Sequence, residues 1–215
     1  GCNLYMEKDS SKRIAMLAYN KSIASELQER VPEGVTASTM HSLGFAPIRD
    51  LGRTKVNNWK TANILEELLG KSTLEKLGIS FQIAMRKVVS LAKNILLDFS
   101  SESYSREFDS MVAHYNLQLN GDEKKIKDFL PRVLEASMQK TSEIDFDDMI
   151  WLPIVLDLEL QKFDILFVDE AQDLNKSRQR LAINSLADGG RLIAVGDPKQ
   201  AIYGFAGADA YSMRN

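Results

Sequence analysis

An acidic pair directly follows an apolar stretch of the sequence and has the chemistry to hold a metal ion. The stretch is residues 163–168, and it ends in Asp169 and Glu170. In such a pair one carboxylate can hold Mg²⁺, usually through water, while the other polarises an attacking water molecule. The pair could instead be a solvated acidic turn at the end of a strand. The two interpretations differ in whether a second functional loop lies beside this one.

Residues 196–209 follow the next apolar stretch and supply such a loop. Gln200 can donate a hydrogen bond to a terminal phosphate, and Tyr203 and Phe205 offer flat faces for unstacked bases. Each stacked base is worth about 1–3 kcal/mol. Taken singly, such aromatic residues are more often part of a core than base platforms. Beside the acidic pair, they predict one site for a nucleotide and a single strand of nucleic acid.

Four short apolar runs predict the strands that position these loops. They are residues 13–19, 35–38, 163–168 and 191–195, and continuous apolar runs are typical of strands buried in a parallel sheet. Helical spacing follows the first run, until Pro32 and Gly34 interrupt it, and residues 175–186 predict a crossover helix. Parallel α/β sheets bind ligands at the carboxyl ends of their strands. The loops after Tyr19, Ser38, Val168 and Val195 are therefore expected to form the site.

A long helical block interrupts this α/β pattern. Residues 42–142 show no strand signal, and apolar spacing predicts long amphipathic helices around 85–96 and 126–138. We expect residues 1–46 and 145–215 to form the sheet domain and residues 47–144 to form a helical insertion. The block shows no basic face.

Composition excludes several classes of protein. The net charge of −3 argues against a protein that coats nucleic acid through bulk positive potential. Cys2 is the single cysteine, which excludes an internal disulfide, and with only His41 and His114 a structural zinc site is not expected. The sequence shows neither an apolar run of about 20 residues nor a signal-peptide pattern. We expect a cytoplasmic protein without membrane contact, associated with the nucleoid if the source is bacterial.

Five segments of the sequence resemble motifs of the UvrD/Rep-type superfamily 1 DNA helicases. Val168-Asp-Glu-Ala-Gln-Asp173 looks like motif II, which carries the Walker B acids, and residues 196–209 look like motif III. Ala18-Tyr-Asn-Lys-Ser-Ile-Ala24 resembles motif Ia, and Thr39-Met-His-Ser42 resembles motif Ib. Asp145-Phe-Asp-Asp-Met149 matches a further family element. The resemblance implies a RecA-like sheet, with the helical block where this family inserts its subdomain 1B.

The resemblance also implies roles for residues on the nucleotide side. Asp169 becomes the Mg²⁺ ligand, Glu170 the general base for ATP hydrolysis and Gln200 the sensor of the γ-phosphate. Tyr203 and Phe205 become base-stacking residues. The implied ligands are ATP, Mg²⁺, single-stranded DNA and single/double-strand junctions, and the implied activity is DNA unwinding, with 3′-to-5′ polarity taken from the family.

Motifs Ia and Ib imply further contacts to single-stranded DNA. Tyr19 and Asn20 would line the strand, and Thr39, His41 and Ser42 would contact its backbone. For His41 the alternative is a histidine that caps the helix after the second strand. Two positions depart from the family, since alanine replaces a common aromatic residue at 18 and a common arginine at 206. Tyr19 would face away from Ala18 if the strand continued past it.

The phosphate loop of this family has no counterpart in the sequence. Gly70-Lys71-Ser72-Thr73 has the residue types that end a phosphate loop. However, Leu65 replaces the first required glycine, and the preceding residues are helical in pattern. Ser72 and Glu75 instead predict a capping box. We therefore expect a fragment that lacks the phosphate loop and the second motor domain, and that hydrolyses little ATP alone.

Two other functions remain as alternatives. One is a single-strand-binding or regulatory module without ATPase activity. The other is a metal-dependent nuclease built on five carboxylates, namely Asp145, Asp147, Asp148, Asp169 and Glu170. Against the nuclease, the Asp-Phe-Asp-Asp segment more simply predicts the start of a helix that its dipole stabilises.

Overall fold

A parallel sheet forms the centre of the protein. The structure, a computed structural model, describes residues 12–197. Within that range the strands are β1 Ile14–Ala18, β2 Val35–Thr39, β3 Lys55–Val56, β4 Glu143–Ile144, β5 Phe163–Val168 and β6 Leu186–Ala194. Four of them form one sheet in the order β2-β1-β5-β6, and every neighbouring pair is parallel. The predicted α/β fold with a RecA-like parallel sheet is confirmed.

Eight α-helices surround or extend this sheet in the described range. They are α1 Lys21–Arg30, α2 Met40–Asp50, α3 Lys60–Leu69, α4 Lys71–Asn94, α5 Tyr104–His114, α6 Glu123–Gln139, α7 Asp148–Val155 and α8 Lys176–Asn184. The predicted helices at 85–96 and 126–138 correspond to α4 and α6. None of the described helices is long and apolar enough to cross a bilayer.

The sheet places its strands where the apolar runs predicted them. β1 and β5 are the central strands, and side chains on both of their faces, such as Ile14, Leu17 and Leu166, are almost completely buried. Burial on both faces explains why these strands read as apolar runs without alternation. The β6 strand begins at Leu186, five residues before the predicted start. The prediction missed this first half because it carries Ala, Asp and Gly instead of an apolar run.

The helical block shares a core with the helices that flank it. Met85, Val88 and Leu130 pack in one buried cluster with Ile48 of α2 and Trp151 of α7. The predicted boundary at residues 46 and 47 lies inside α2. The core therefore continues across the second predicted end of the insertion, and at the first end partly buried Phe45 packs against it.

Two local predictions in this block are wrong. Lys55–Val56 is a short strand that pairs in parallel with Glu143–Ile144, although residues 42–142 were expected to contain none. The predicted capping box of Ser72 and Glu75 does not form, because α4 begins at Lys71 and Gly70 is its N-cap, with no side-chain cap bond.

The segment of residues 70–73 joins two helices, as its structural interpretation predicts. Gly70 has a φ of 76°, which favours glycine, and it ends α3 as well as starting α4. A phosphate loop would instead follow a buried strand.

Candidate functional site

The loops that follow β5 and β6 are joined at the carboxyl edge of the sheet. The N–H of Val195 donates to the carbonyl of Val168 at 2.8 Å, and the N–H of Ala171 donates to the carbonyl of Val195 at 2.9 Å. The N–H of Asp169 donates to the carbonyl of Leu17 in β1 at 3.1 Å. These bonds fix the acidic loop between the two neighbouring strands.

A cleft opens at this edge and brings together four of the predicted site residues. Tyr19, His41, Asp169 and Glu170 all line it, and Arg178 of α8 lies beside them. β1 ends at Ala18, so Tyr19 belongs to the following loop and is exposed at the cleft. The condition under which Tyr19 would face away, a strand that continues, is therefore not met.

The acidic pair has an unusual backbone at its second residue. Glu170 has a left-handed conformation, with φ 51° and ψ 42°, and starts a short 3-10 turn of Ala171–Asp173. This conformation costs a residue other than glycine about 1–3 kcal/mol, and such residues cluster at functional sites. The Glu170 N–H donates to Asp169 Oδ1 at 3.0 Å. Both side chains are exposed to the cleft.

The donor set at this loop fits a magnesium ion that is bound mainly by other ligands. Within residues 12–197 no group of three or more histidine, cysteine or acidic side chains could hold a metal ion. Mg²⁺ usually takes one or two carboxylates and fills its octahedral shell with water and substrate phosphate oxygens. Asp169 can be that carboxylate.

Gln172 ties the acidic pair to the next loop, a contact that the sequence did not predict. Its side chain is 3% exposed. Its Nε2 donates to Glu170 Oε2 at 2.5 Å, and its Oε1 accepts the N–H of Asp197 at 3.1 Å. A Cβ at Gly196 would lie 2.1 Å from the same Oε1 and 2.9 Å from the backbone nitrogen of Ala171, so a larger residue would force the two loops to shift. The carboxylate of Glu170 is thereby oriented by a residue that also contacts the loop after β6.

Helix caps occupy three of the polar residues predicted to contact DNA. Asn20 accepts the N–H of Ile23 and caps α1. Thr39 accepts the N–H of Ser42 at 3.1 Å and caps α2, and its hydroxyl also donates to the Ser42 hydroxyl at 3.0 Å. The predicted alternative for His41, a helix cap, is wrong because Thr39 holds that position.

His41 packs against Phe146, an aromatic residue to which the sequence assigned no role. The two rings meet edge to face with centroids 5.9 Å apart, and Phe146 is 54% exposed. Burial, and after it the positive charge of Arg178, lower the pKa of His41 from 6.5 to about 4. His41 is therefore neutral at pH 7, and a flat exposed ring and a cation flank it.

The remaining predicted residues lie outside the described range. They are Gln200, Tyr203 and Phe205, together with the departure from the family at Ala206.

The acidic segment before α7 is a structural cluster instead of a nuclease site. Lys60 and Lys93, which are 0% and 1% exposed, donate to Asp148 at 2.6 and 2.8 Å, and Lys93 also donates to Asp145 at 2.7 Å. Burial alone would lower the pKa of Lys93, but Asp148 and Asp145 outweigh it and raise that pKa. Asp147 is the N-cap residue of α7. The nuclease hypothesis fails because buried lysines neutralise Asp145 and Asp148, Ser90 and Asn94 hold Asp147, and no three of the five carboxylates form a metal-binding group within residues 12–197.

The fold and the edge cleft together define a class of protein. A parallel sheet of RecA-like type, with an acidic pair at the end of a central strand, is the arrangement of an α/β motor domain. The family model of the UvrD/REP helicase N-terminal domain matches residues 4–215. The chain belongs to this family, as its motifs predicted.

Several curated proteins are similar over nearly the whole chain. F-box DNA helicase 1 of Gallus gallus is 25% identical and covers 95% of this chain and 21% of its own length. ATP-dependent DNA helicase PcrA of Leuconostoc citreum is 25% identical, with 94% and 28% covered. ATP-dependent DNA helicase Rep of Escherichia coli K12 is 27% identical, with 92% and 31% covered. The chain thus spans less than a third of the length of these relatives.

Proposed function

We propose that the chain is part of an ATP-dependent DNA helicase and contributes one wall of its nucleotide site together with part of its single-strand track. The observation that carries this proposal is the edge cleft, where Asp169 and Glu170 share a surface with Tyr19 and His41. An acidic pair suited to hydrolysis and side chains suited to binding a nucleic acid thus line the same cavity at the edge of the sheet.

On the nucleotide side, Asp169 holds Mg²⁺ through water and Glu170 is the general base. Bound Mg²⁺ would supply charge neutralisation to the phosphates of ATP. Glu170 is suited to orient water because its carboxylate is exposed and Gln172 fixes one of its oxygens. Gln200, four residues after Gly196 in the sequence, is assigned to the γ-phosphate.

On the DNA side, the cleft offers one surface of mixed chemistry. Tyr19 provides an exposed aromatic face within the cleft, and Arg178 provides a charge for a phosphate. Phe146 provides a second exposed face beside the cleft, against neutral His41. Stacking on aromatic faces beside a cation is the usual way to bind a single strand without reading its sequence. Tyr203 and Phe205 would extend this surface.

Asn20, Thr39 and Ser42 are proposed to contribute through the helix starts to which they belong. In these turns the N–H groups of Ile23 and Ser42 are capped, and the remaining N–H groups and the helix dipole favour a phosphate. Their side chains mainly hold these turns in place.

Translocation and unwinding are proposed for the longer protein that the relatives suggest. The polarity would be 3′-to-5′, with single/double-strand junctions as substrate, and a second motor domain of the same protein would close the nucleotide cleft. The match of this chain to less than a third of PcrA and Rep supports this part.

The test pairs two substitutions in the protein as its gene encodes it. Glu170→Gln should slow ATP hydrolysis by at least about 10²-fold while ATP binding persists. Phe146→Ala should weaken binding of an oligothymidine strand and lower DNA-stimulated hydrolysis, while hydrolysis without DNA stays near the wild-type rate. Glu29→Gln, on the exposed face of α1, is the matched control.

The outcomes separate the motor from the alternatives. If wild type binds oligothymidine but never hydrolyses ATP, the chain is a single-strand-binding module and the helicase proposal fails. Unchanged hydrolysis in Glu170→Gln would show that Glu170 is not the general base, and the rest of the proposal would stand.

A further inference from the structure

The end of helix α4 hydrogen-bonds to two residues near the edge cleft: Asp147, which follows Phe146, and Asn175, which follows the cleft-lining Leu174. Asn94 Nδ2 donates to Asp147 Oδ1 at 2.9 Å, and Ser90 Oγ donates to Asp147 Oδ2 at 2.6 Å. On the opposite side of the same amide, Asn94 Oδ1 accepts the Nδ2 of Asn175 at 2.5 Å. One amide side chain of the insertion thus joins two loops that are remote in sequence.

The Asn175 side of this connection leads to the nucleotide loop. Asn175 is 2% exposed and follows the acidic turn by two residues. Its Oδ1 accepts the N–H of Arg178 at 2.9 Å and the hydroxyl of Ser177 at 2.9 Å, so it caps α8. Because both ends of the Asn175 amide are engaged, the side chain cannot shift without moving the start of α8.

The Asp147 side leads to the DNA-facing ring. Asp147 directly follows Phe146, and Lys93 holds Asp145 on the other side of the ring. The backbone of this turn is therefore held on both sides of Phe146 by the last two turns of α4. A displacement of α4 relative to the sheet would carry the ring that contacts His41.

We propose that Asn94 is a positioning residue that couples the acidic loop after β5 to the DNA-facing Phe146. The proposal rests on the proposed function of the cleft. Asn94 touches neither ligand in this scheme. It transmits a change in the acidic loop, through Asn175, to Asp147 and its neighbour Phe146. The helical insertion would then help to make the affinity for DNA depend on the bound nucleotide.

The expected effect of removing Asn94 follows from the hydrogen bonds that its neighbours would lose. Truncation of Asn94 leaves the buried Nδ2 of Asn175 without its acceptor and takes one donor from Asp147, which keeps Ser90. Each loop retains its other bonds, including the cap of α8, so the fold should survive. The two loops then lose their direct connection and can move independently.

The experiment measures nucleotide-dependent DNA affinity in the protein as its gene encodes it. The dissociation constant for a fluorescent oligothymidine is measured with Mg²⁺ and either ADP or a nonhydrolysable ATP analogue, at one salt concentration. Asn94→Ala should reduce the ratio of the two constants about three- to tenfold toward one. Asn63→Ala, the same change on α3 at a side chain without a hydrogen bond in residues 12–197, should leave the ratio as in wild type.

A second variant keeps the cap while it breaks the connection. Asn175→Asp retains an oxygen for the N–H of Arg178 but no longer donates to Asn94, and it should reduce the ratio as Asn94→Ala does. If Asn94→Ala fails to fold, this variant decides alone.

Two negative outcomes are distinguishable. A wild-type ratio that is retained in both variants overturns the role of Asn94 and leaves the proposed function standing. A wild-type ratio of one removes the coupling itself, and the proposed motor function fails with it.

Discussion

His41 lies between the nucleotide and DNA sides of the cleft, and its surroundings keep it neutral. The pKa of this imidazole falls to about 4, first through burial and then through the charge of Arg178. A neutral ring can lie against Phe146 without a desolvated charge. At the residue scale, the cleft thus places exposed acids beside neutral rings, which is the separation that the proposed nucleotide and DNA sides require.

The lowered pKa predicts a pH dependence of stability. The unfolded chain binds a proton on His41 below about pH 6.5, whereas the folded protein binds it only near pH 4. This contribution to stability is therefore complete above pH 6.5 and is lost as the pH falls toward 4. His41→Gln should remove on the order of 1 kcal/mol from the difference in unfolding free energy between pH 7.5 and pH 5.

Urea denaturation at the two pH values, without DNA, measures this difference. His114→Gln, an exposed position at the end of α5, is the control for the loss of a histidine. Equal pH dependence in wild type and His41→Gln would show that His41 is not held neutral by the fold.

At the scale of elements, the site depends on how closely α2 and α7 approach each other. Gly44 of α2 faces the backbone of α7, and a Cβ there would lie 2.0 Å from the carbonyl oxygen of Met149. The two helices carry His41 and hold the turn of Phe146, respectively, so this contact sets the distance between those rings.

Gly44→Ala tests whether this approach controls stability. Alanine in a helix gains about 1 kcal/mol over glycine from propensity. Overpacking costs typically 1–3 kcal/mol or more, and a backbone carbonyl cannot rotate out of the way as a side chain can. The clash should win, with a net loss of about 1–2 kcal/mol in urea denaturation and weaker oligothymidine binding. Asp50→Ala, at the exposed end of the same helix, should change neither; stabilisation by Gly44→Ala would show that the helices separate freely.

The sequence predicts the elements of this site better than its contacts. Asp169 and Glu170 were identified because a buried strand ends directly before them, and strand ends are visible as the end of an apolar run. Phe146, Gln172 and Arg178 had no such signal. Their roles depend on which loops become neighbours across the sheet edge, and that is settled by packing between segments far apart in sequence. For Phe146 the sequence offered only its place in the Asp145-Phe-Asp-Asp-Met149 segment, which matches a family element without assigning the ring a role.

The same limit explains the errors at element ends. β6 starts early because Leu186 pairs with Phe163, and the small and polar residues 187–190 lie in a register shift before Arg191 pairs with Ile165. Gly70 ends one helix and begins another through its own backbone conformation, so the Ser72 cap was unnecessary. Pairing and φ angles of this kind are tertiary facts that a pattern of apolar residues does not contain.

At the scale of the whole molecule, the helical block and the sheet domain meet through shared buried residues instead of a linker. Ile48, Met149, Trp151 and Leu152 come from the helices beside the sheet, but they lie in the core of the block. The buried pairs of Lys60 and Lys93 with Asp148 cross the same boundary. The proposed coupling through Asn94 depends on this continuity.

Excision of the block provides the last prediction. The chain can be rejoined without strain, because the N–H of Lys55 donates to the carbonyl of Ser142 at 3.0 Å, so a two-glycine link can replace residues 55–142. Excision would nevertheless expose the four apolar side chains of the shared core. Each contributes about 1.5–3 kcal/mol by burial, roughly 6–12 kcal/mol together, which is comparable to the whole stability of a domain at about 5–15 kcal/mol. We expect the shortened protein to lose cooperative thermal unfolding and the fluorescence of a buried Trp151. The control inserts the same two glycines at the exposed turn of Asn120 and Gly121, where the melting temperature should change by no more than a few degrees. A shortened protein that melts cooperatively near the wild-type temperature would mean that the sheet domain is stable alone, and the block would then be an accessory instead of a part of the same core.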